Sequence, residues 1–519
     1  MFTKEIKLTH FSLLLSLLNL ALFHIPFYKF VWANTDTGSL NGIWLICALT
    51  LLSIVLNAVV FYLLLYLLRR VGRVIISLLF VINSISLYFI NTYQVILDRD
   101  MIGNVFNTNY SEASSFFSFS LLLYLILLGI LPSVLILKAR FTRTSPKKFI
   151  AQIGGSLAFL LIFIYANAPN WLWIDQHSTE LGAITLPWSY IVNTGRYISH
   201  KRHQNKEQIK LPDATLKNHD KAVMVLVIGE SARQANFSLY DYERNTNPML
   251  SEVERLKIYK ATSVATYTTA GVKAILEHKE SNKLYEILPN YLFRTGEIDV
   301  IWRTTNWGEP TVSIDKYMTE KELKQYCNGA YCAYDEILLS GLREQILESD
   351  KDKVLVVLHM STSHGPTYYK KYPEPFNHFT PVCTSVELDK CTQSELINAY
   401  DNTILYTDYI LATLIKELET LEGYHTSMLF VSDHGESLGE KNLYMHGVPM
   451  SIAPREQYEI PFLLWASDPS IRWKEEKEVT QHHVFHTVLD LLDVTSPIYN
   501  PSKSLLSPSS TNPQKQPTP

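Results

Sequence analysis

Five stretches in the first third of the chain are apolar and almost free of charge: residues 11–27, 44–68, 74–90, 116–137 and 149–166. Each comes near the roughly 20 apolar residues a helix needs to cross a bilayer, so the pattern predicts five membrane-spanning helices. From residue 222 the pattern changes. Short, β-branched runs at AVMVLVIGE (222–230), DVIW (299–302), KVLVVLHM (353–360) and SMLFVSDHG (427–435) alternate with helical stretches such as SELINAYDNTILYTDYILATLIKELETL. Such alternation predicts an α/β domain, a mostly parallel sheet with helices on both faces. The expected organisation is a transmembrane domain with a loop helix (1–170), an interfacial helix and linker (171–220), the α/β domain (221–495), and a proline- and serine-rich disordered tail (496–519).

Basic residues orient the spans. Lys4 and Lys7 precede the first; Arg69, Arg70 and Arg73 lie between the second and third; Lys138, Arg140, Arg143, Lys147 and Lys148 lie between the fourth and fifth. The intervening loops carry only Lys29 and Arg99. By the positive-inside rule the amino terminus is cytoplasmic, and an odd number of spans sends the α/β domain to the outer face. Four cysteines of that domain form two close pairs, Cys327 with Cys332 and Cys383 with Cys391. Neighbour pairing is the simplest of the three connectivities, and disulfides suit an oxidising, periplasm-like compartment. A net charge of -4 argues against a nucleic-acid partner.

Between the third and fourth spans, Asn104, Thr108 and Glu112 recur every four residues. On one helix they line a single polar face, which is either a solvated interfacial face or a site for a polar headgroup with Glu112 against an amine.

The candidate chemistry sits at strand ends. Two buried runs stop on carboxylates, Glu230 and Asp433, and the second is followed at once by His434. Open α/β sheets keep their ligands at the carboxyl ends of their strands. Two carboxylates and an imidazole supply three zinc ligands, and a hydroxyl from the cluster SVATYTTAG would supply the fourth. A hydroxyl at a helix start is either an N-cap or a nucleophile placed where backbone amides attract a phosphate. His364 in STSHGP and His446 in LYMHGVP lie beside glycines in polar turns, where they either make structural hydrogen bonds or hold phosphate oxygens, bind a second metal or protonate a leaving alkoxide.

Taken together, VIGESARQANFSLYDYERNTNPML, the threonine cluster, HGPTYYKKYPEPFNHFTPVC, DNTILYTDY, SDHGESLGE and MHGVP resemble the membrane-bound phosphoethanolamine transferases of the alkaline phosphatase and sulfatase superfamily, over nearly the whole chain. The resemblance implies a five-helix inner-membrane domain carrying a periplasmic sulfatase-like α/β/α sandwich. It implies zinc held by Glu230, Thr266, Asp433 and His434, with Thr266 as the nucleophile. His364 and His446 match histidines around the transferred phosphate, and Asn104, Thr108 and Glu112 match a donor-binding face. The implied reaction moves phosphoethanolamine from phosphatidylethanolamine to lipid A, the lipopolysaccharide core or another periplasmic acceptor through a phosphoethanolamine-threonine intermediate. The chain departs from the pattern twice. Val264 and Ala265 replace a cysteine and a glycine before the threonine, and Trp307, Gly308 and Glu309 stand where related enzymes carry a lysine. A phosphoglycerol transferase of the same superfamily and a phosphatase are the alternatives; a sulfatase is disfavoured because Thr266 lies outside a C-x-P-x-R pattern.

Overall fold

The computed structural model describes residues 5–108, 110–142, 144–167, 170–204 and 208–507. The chain divides into two compact units, Met1–His200 and Lys201–Pro519.

In the first unit, four helices are long and apolar enough to cross a membrane: Leu40–Leu68, Arg70–Tyr93, Phe119–Lys138 and Pro146–Ala166. The run expected over 11–27 is instead a pair, Leu8–Phe23 and Ile25–Ala33, bent by 65°. The break falls at His24, and Pro26 opens the second helix, where its missing N–H costs no hydrogen bond. Counted as one span, the pair makes five. Ile6 and Lys7 pair with Phe141 and Thr142, and the Arg73 guanidinium donates to the carbonyls of Leu137 and Ala139. Three of the basic segments therefore meet on one side of the helices, as the charge pattern requires.

The loop helix differs from its expectation. Helix Arg99–Asn107 ends before a second helix, Tyr110–Ser115, begins. Thr108 closes the first of these by donating its hydroxyl to the Asn104 carbonyl at 2.9 Å. Asn104, Thr108 and Glu112 thus do not share one continuous helix, and the side chain of Glu112 lies outside the described part of the chain. Asn104 Oδ1 is buried and has no hydrogen-bond partner among the described residues.

The second unit is built on an eight-stranded sheet. Its strands are β1 (Ala222–Gly229), β2 (Lys257–Thr262), β3 (Ile298–Thr304), β4 (Lys316–Thr319), β5 (Lys353–His359), β6 (His425–Ser432), β7 (Glu459–Ala466) and β8 (Val479–Thr480), in the spatial order β8-β2-β7-β6-β1-β5-β3-β4. Pairing is parallel except at β7, which runs antiparallel to both β2 and β6. Every residue of β1 and β5 is buried, which is why their sequences are continuous apolar runs. Helices α1 (Thr268–Leu276) and α3 (His483–Leu491) bury Val272, Ile275, Val484 and Phe485 in one core with Met224, Leu226 and Ile228 of β1. Helix α2 (Gln393–Glu419) starts at a capping box made by Thr392 and Glu395 and is buried along most of its length. Cys327–Cys332 and Cys383–Cys391 are disulfides, so neighbour pairing holds.

The tail expected to be disordered from residue 496 is ordered to 507. Leu505 is fully buried in the core beside α3, and Ser504 donates to the Asp490 carboxylate at 2.5 Å. Its proline and serine content misleads because Ile498, Tyr499 and Leu505 anchor it to the core.

Candidate functional site

The carboxyl ends of β1, β6, β5 and β3 converge. Glu230 follows β1 directly, and Asp433 and His434 follow β6, paired to β1 in parallel up to Gly229 and Ser432. The register therefore sets the two acids side by side. Ser231 takes a left-handed conformation (φ 53°) that turns the chain sharply after β1. Its N–H donates to Asp433 Oδ1 at 3.0 Å and its hydroxyl to Glu230 Oε1 at 2.7 Å. The N–H of His434 also donates to Asp433 Oδ1, at 2.8 Å. One oxygen of Asp433 is thus held by two amides. The other, Oδ2, is buried without a hydrogen-bond partner among the described residues.

Helix α1 brings in the hydroxyl. Gly271 lies so close to Asp433 that a β-carbon there would stand 2.1 Å from the Asp433 carbonyl oxygen. With the helix start pressed against the strand end, its first residue, Thr268, points Oγ1 to within 3.3 Å of His434 Nε2 and 3.4 Å of Glu230 Oε2. Thr266, expected as the nucleophile, is turned elsewhere. Its hydroxyl donates to the Val448 carbonyl at 2.6 Å, and its carbonyl accepts from the Gly447 N–H at 2.7 Å. In this geometry Thr266 staples the loop carrying His446, and Thr268 is the hydroxyl that faces the acids. The usable signal was the start of the apolar helical pattern TTAGVKAIL at Thr268.

His434 Nδ1 lies 2.8 Å from the Gly435 carbonyl, an acceptor only, so this nitrogen carries the proton and Nε2 offers its lone pair inward. Around Nε2 stand Asp433 Oδ2 at 3.3 Å, Glu230 Oε1 at 3.4 Å and Thr268 Oγ1 at 3.3 Å. A tetrahedral ion with ligands at about 2.0–2.1 Å separates neighbouring ligand atoms by about 3.3–3.4 Å. The donor set thus fits a zinc-sized cation. Glu230, Asp433 and His434 form one group able to hold a metal ion, and Glu230, His364 and His446 form a second that shares Glu230.

Electrostatics point the same way. Burial pushes Asp433 well above the carboxylate range, and the neighbouring Glu230 adds to the rise. Glu230 resists its own burial because His434 and His364, together with the Asn306 amide, hold it low. Glu436 lies 3.2 Å from His446 Nδ1, and burial raises it strongly too. Burial and His434 push His446 down to about 3, so its imidazole is neutral. Three buried carboxylates with orphaned oxygens on Asp433 and Glu436 need a positive partner.

Asn306, beyond the end of β3, was not among the expected residues. Its amide donates to Glu230 Oε2 at 2.7 Å and to the Met360 carbonyl at 2.7 Å. Two residues on, Gly308 adopts φ +108°, and a β-carbon added there would stand 3.0 Å from the Thr268 methyl. The departure Trp307-Gly308-Glu309 therefore borders the hydroxyl. Glu309 does not replace a lysine functionally: it accepts from Tyr317 at 2.5 Å and pairs with buried His359 at 3.5 Å.

Residues 222–494 match the sulfatase family model, and residues 52–202 match a model described as phosphoethanolamine transferase EptA/EptB. The chain is similar to phosphoethanolamine transferase EptA of Helicobacter pylori, with 39% identity covering 97% of this chain and 98% of that protein. It is 30% identical to EptA of Escherichia coli K12, covering 93% of each. The solved structure of the integral membrane lipooligosaccharide phosphoethanolamine transferase A from Neisseria meningitidis superposes with a TM-score of 0.85 at 26% identity, covering 97% of this chain and 99% of that one.

Proposed function

The chain belongs to the phosphoethanolamine transferase family, and from that premise we propose that it transfers phosphoethanolamine from phosphatidylethanolamine to lipid A or the lipopolysaccharide core, with Thr268 as the nucleophile. The observation that carries this assignment is the approach of Thr268 Oγ1 to both His434 and Glu230 at the start of a helix. A zinc ion bound by Glu230, Asp433, His434 and Thr268 would favour the alkoxide at neutral pH and neutralise charge on the phosphoryl oxygens.

The chain's own groups account for the rest. The free N–H groups and dipole at the start of α1 favour an anion beside Thr268. Thr268 Oγ bonds to phosphorus as the phosphorus bond to the diacylglycerol oxygen breaks. The leaving oxygen takes a proton, for which His364, close to Glu230, is the candidate donor, while the neutral His446 is placed to hold a phosphoryl oxygen. The acceptor oxygen then bonds to phosphorus, and Thr268 leaves and recovers its proton. Asn104, Thr108 and Glu112 remain proposed donor contacts in the membrane half. The catalytic unit lies in the periplasm, in keeping with the charge pattern and the two disulfides. A lipopolysaccharide-type acceptor is supported by the Neisseria meningitidis relative, a lipooligosaccharide phosphoethanolamine transferase.

The test is intact mass spectrometry of the full-length protein in detergent after exposure to phosphatidylethanolamine. Wild type and Thr266→Ala should gain one phosphoethanolamine, and Thr268→Ala should gain none. An adduct that survives in Thr268→Ala and vanishes in Thr266→Ala would overturn the assignment.

A further inference from the structure

We propose that Asp335 is a positioning residue for this reaction, a buried carboxylate that clamps the loops after β3 and β5 together and so fixes His364 against Glu230. Asp335 begins a short 3₁₀ turn, Asp335–Leu339, three residues beyond Cys332, and it is 3% exposed. Its two oxygens collect four donors. Oδ1 accepts from the Thr305 hydroxyl at 2.5 Å and the Ser361 hydroxyl at 3.1 Å. Oδ2 accepts from the Ser361 N–H at 2.7 Å and from the Thr362 hydroxyl. All four are neutral N–H or O–H groups, so the carboxylate is held by convergence of the loops upon it.

Each of those loops ends in the site. Thr305 is followed by Asn306, whose amide holds Glu230 Oε2. Ser361 and Thr362 open the turn that presents His364, closed by the His364 N–H to the Ser361 carbonyl at 3.4 Å. Thr305 also donates its N–H to the His359 carbonyl at 3.1 Å, so the two strand ends are stitched on either side of the carboxylate. An ionised acceptor makes shorter, stronger bonds than a neutral one, and two oxygens serving four donors fix direction as well as distance. A sulfatase-like sheet supplies the strand ends; Asp335 supplies the spacing between two of them. It touches none of the reacting groups.

The inference rests on the transfer reading above, and the test separates the two. The rate of adduct formation on Thr268 is measured in single turnover on full-length protein for wild type, Asp335→Asn, His364→Ala and the double variant, with melting temperature and final adduct stoichiometry recorded for each. Asp335→Asn is expected to form the adduct to full stoichiometry about tenfold or more slowly. In the His364→Ala background the same change should cost less than about twofold, since the two residues then act through one another. A contribution to stability alone would instead multiply through both backgrounds and lower the final stoichiometry. If Asp335→Asn does not fold, Thr362→Val removes one donor and leaves the carboxylate, with a severalfold loss expected that also disappears in His364→Ala. Asp335→Asn or its substitute within twofold of wild type, or a loss that persists undiminished without His364, would overturn the clamp. A wild-type protein that forms no adduct would overturn the transfer reading, and the clamp with it.

Discussion

Gly271→Ala should damage catalysis far more than stability, and the structure supplies both magnitudes. The added β-carbon would stand 2.1 Å from the Asp433 carbonyl oxygen, where real β-carbons essentially never come within 3.0 Å. The obstacle is backbone and cannot swing aside, so α1 and the Asp433 turn must separate by roughly 1 Å, a displacement that costs about 100-fold in rate when it misplaces a reacting group. Thr268 lies one turn before Gly271 on the same helix, so the shift is delivered directly to its hydroxyl. For stability two effects nearly cancel. Overpacking costs about 1–3 kcal/mol, and alanine in place of glycine in a helix returns about 1 kcal/mol. The net is a loss of about 0–2 kcal/mol. The assay pairs single-turnover adduct formation with thermal unfolding of the full-length protein in detergent. Gly195→Ala serves as control, since a β-carbon there meets nothing within 4 Å. Adduct formation within threefold of wild type in Gly271→Ala would refute the claim that close approach of helix to strand end sets the nucleophile.

Two further changes probe the surroundings. Asn306→Ala removes the donor that orients Glu230 and should weaken metal binding about 10- to 100-fold, read by competition with a chelator; unchanged affinity would show that Glu230 needs no such support. Asp408, buried on α2, accepts the N–H groups of Met249 and Leu250, and burial pushes it up to about 6 from 3.8. Between those values the folded state holds a proton that the unfolded state has lost. The stabilisation is therefore complete below pH 3.8 and falls away as pH rises through 6, about 3 kcal/mol in all. Asp408→Asn should lose this dependence, so that its stability relative to wild type improves between pH 4 and 7; parallel melting curves across that range would refute the assignment.

Much of this could be read from the chain because its strongest signals are local. The apolar runs of β1, β5 and β6 are continuous since both faces of the sheet are covered, and each stops abruptly on the polar residues of the site. Glu230, Asp433 and His434 were legible for that reason. The choice between Thr266 and Thr268 was not. Both hydroxyls lie in one polar cluster; the helical pattern marks Thr268 as the helix start, but only the tertiary contact at Gly271 sets that start against the acids. Asn306 and Asp335 escaped notice because their partners lie 76 and 26 residues away in sequence, beyond any short motif. Strand β7 was missed because EIPFLLWA carries a proline. The single bend at His24 was missed because hydropathy registers apolar length and is blind to a break in direction.

The antiparallel course of β7 has a further consequence. Because β6 and β7 are neighbours of opposite direction, the segment that leaves β6 at Asp433 and enters β7 at Glu459 departs from and returns to the same rim of the sheet. Its base is zipped where the N–H groups of Gly435 and Glu436 meet the carbonyls of Gln457 and Glu456. Residues can be gained or lost within this excursion, which carries His446, without shifting the register of any strand. Changes of length there can therefore reshape the surface around His446 while Glu230, Asp433 and His434 keep their places at the strand ends.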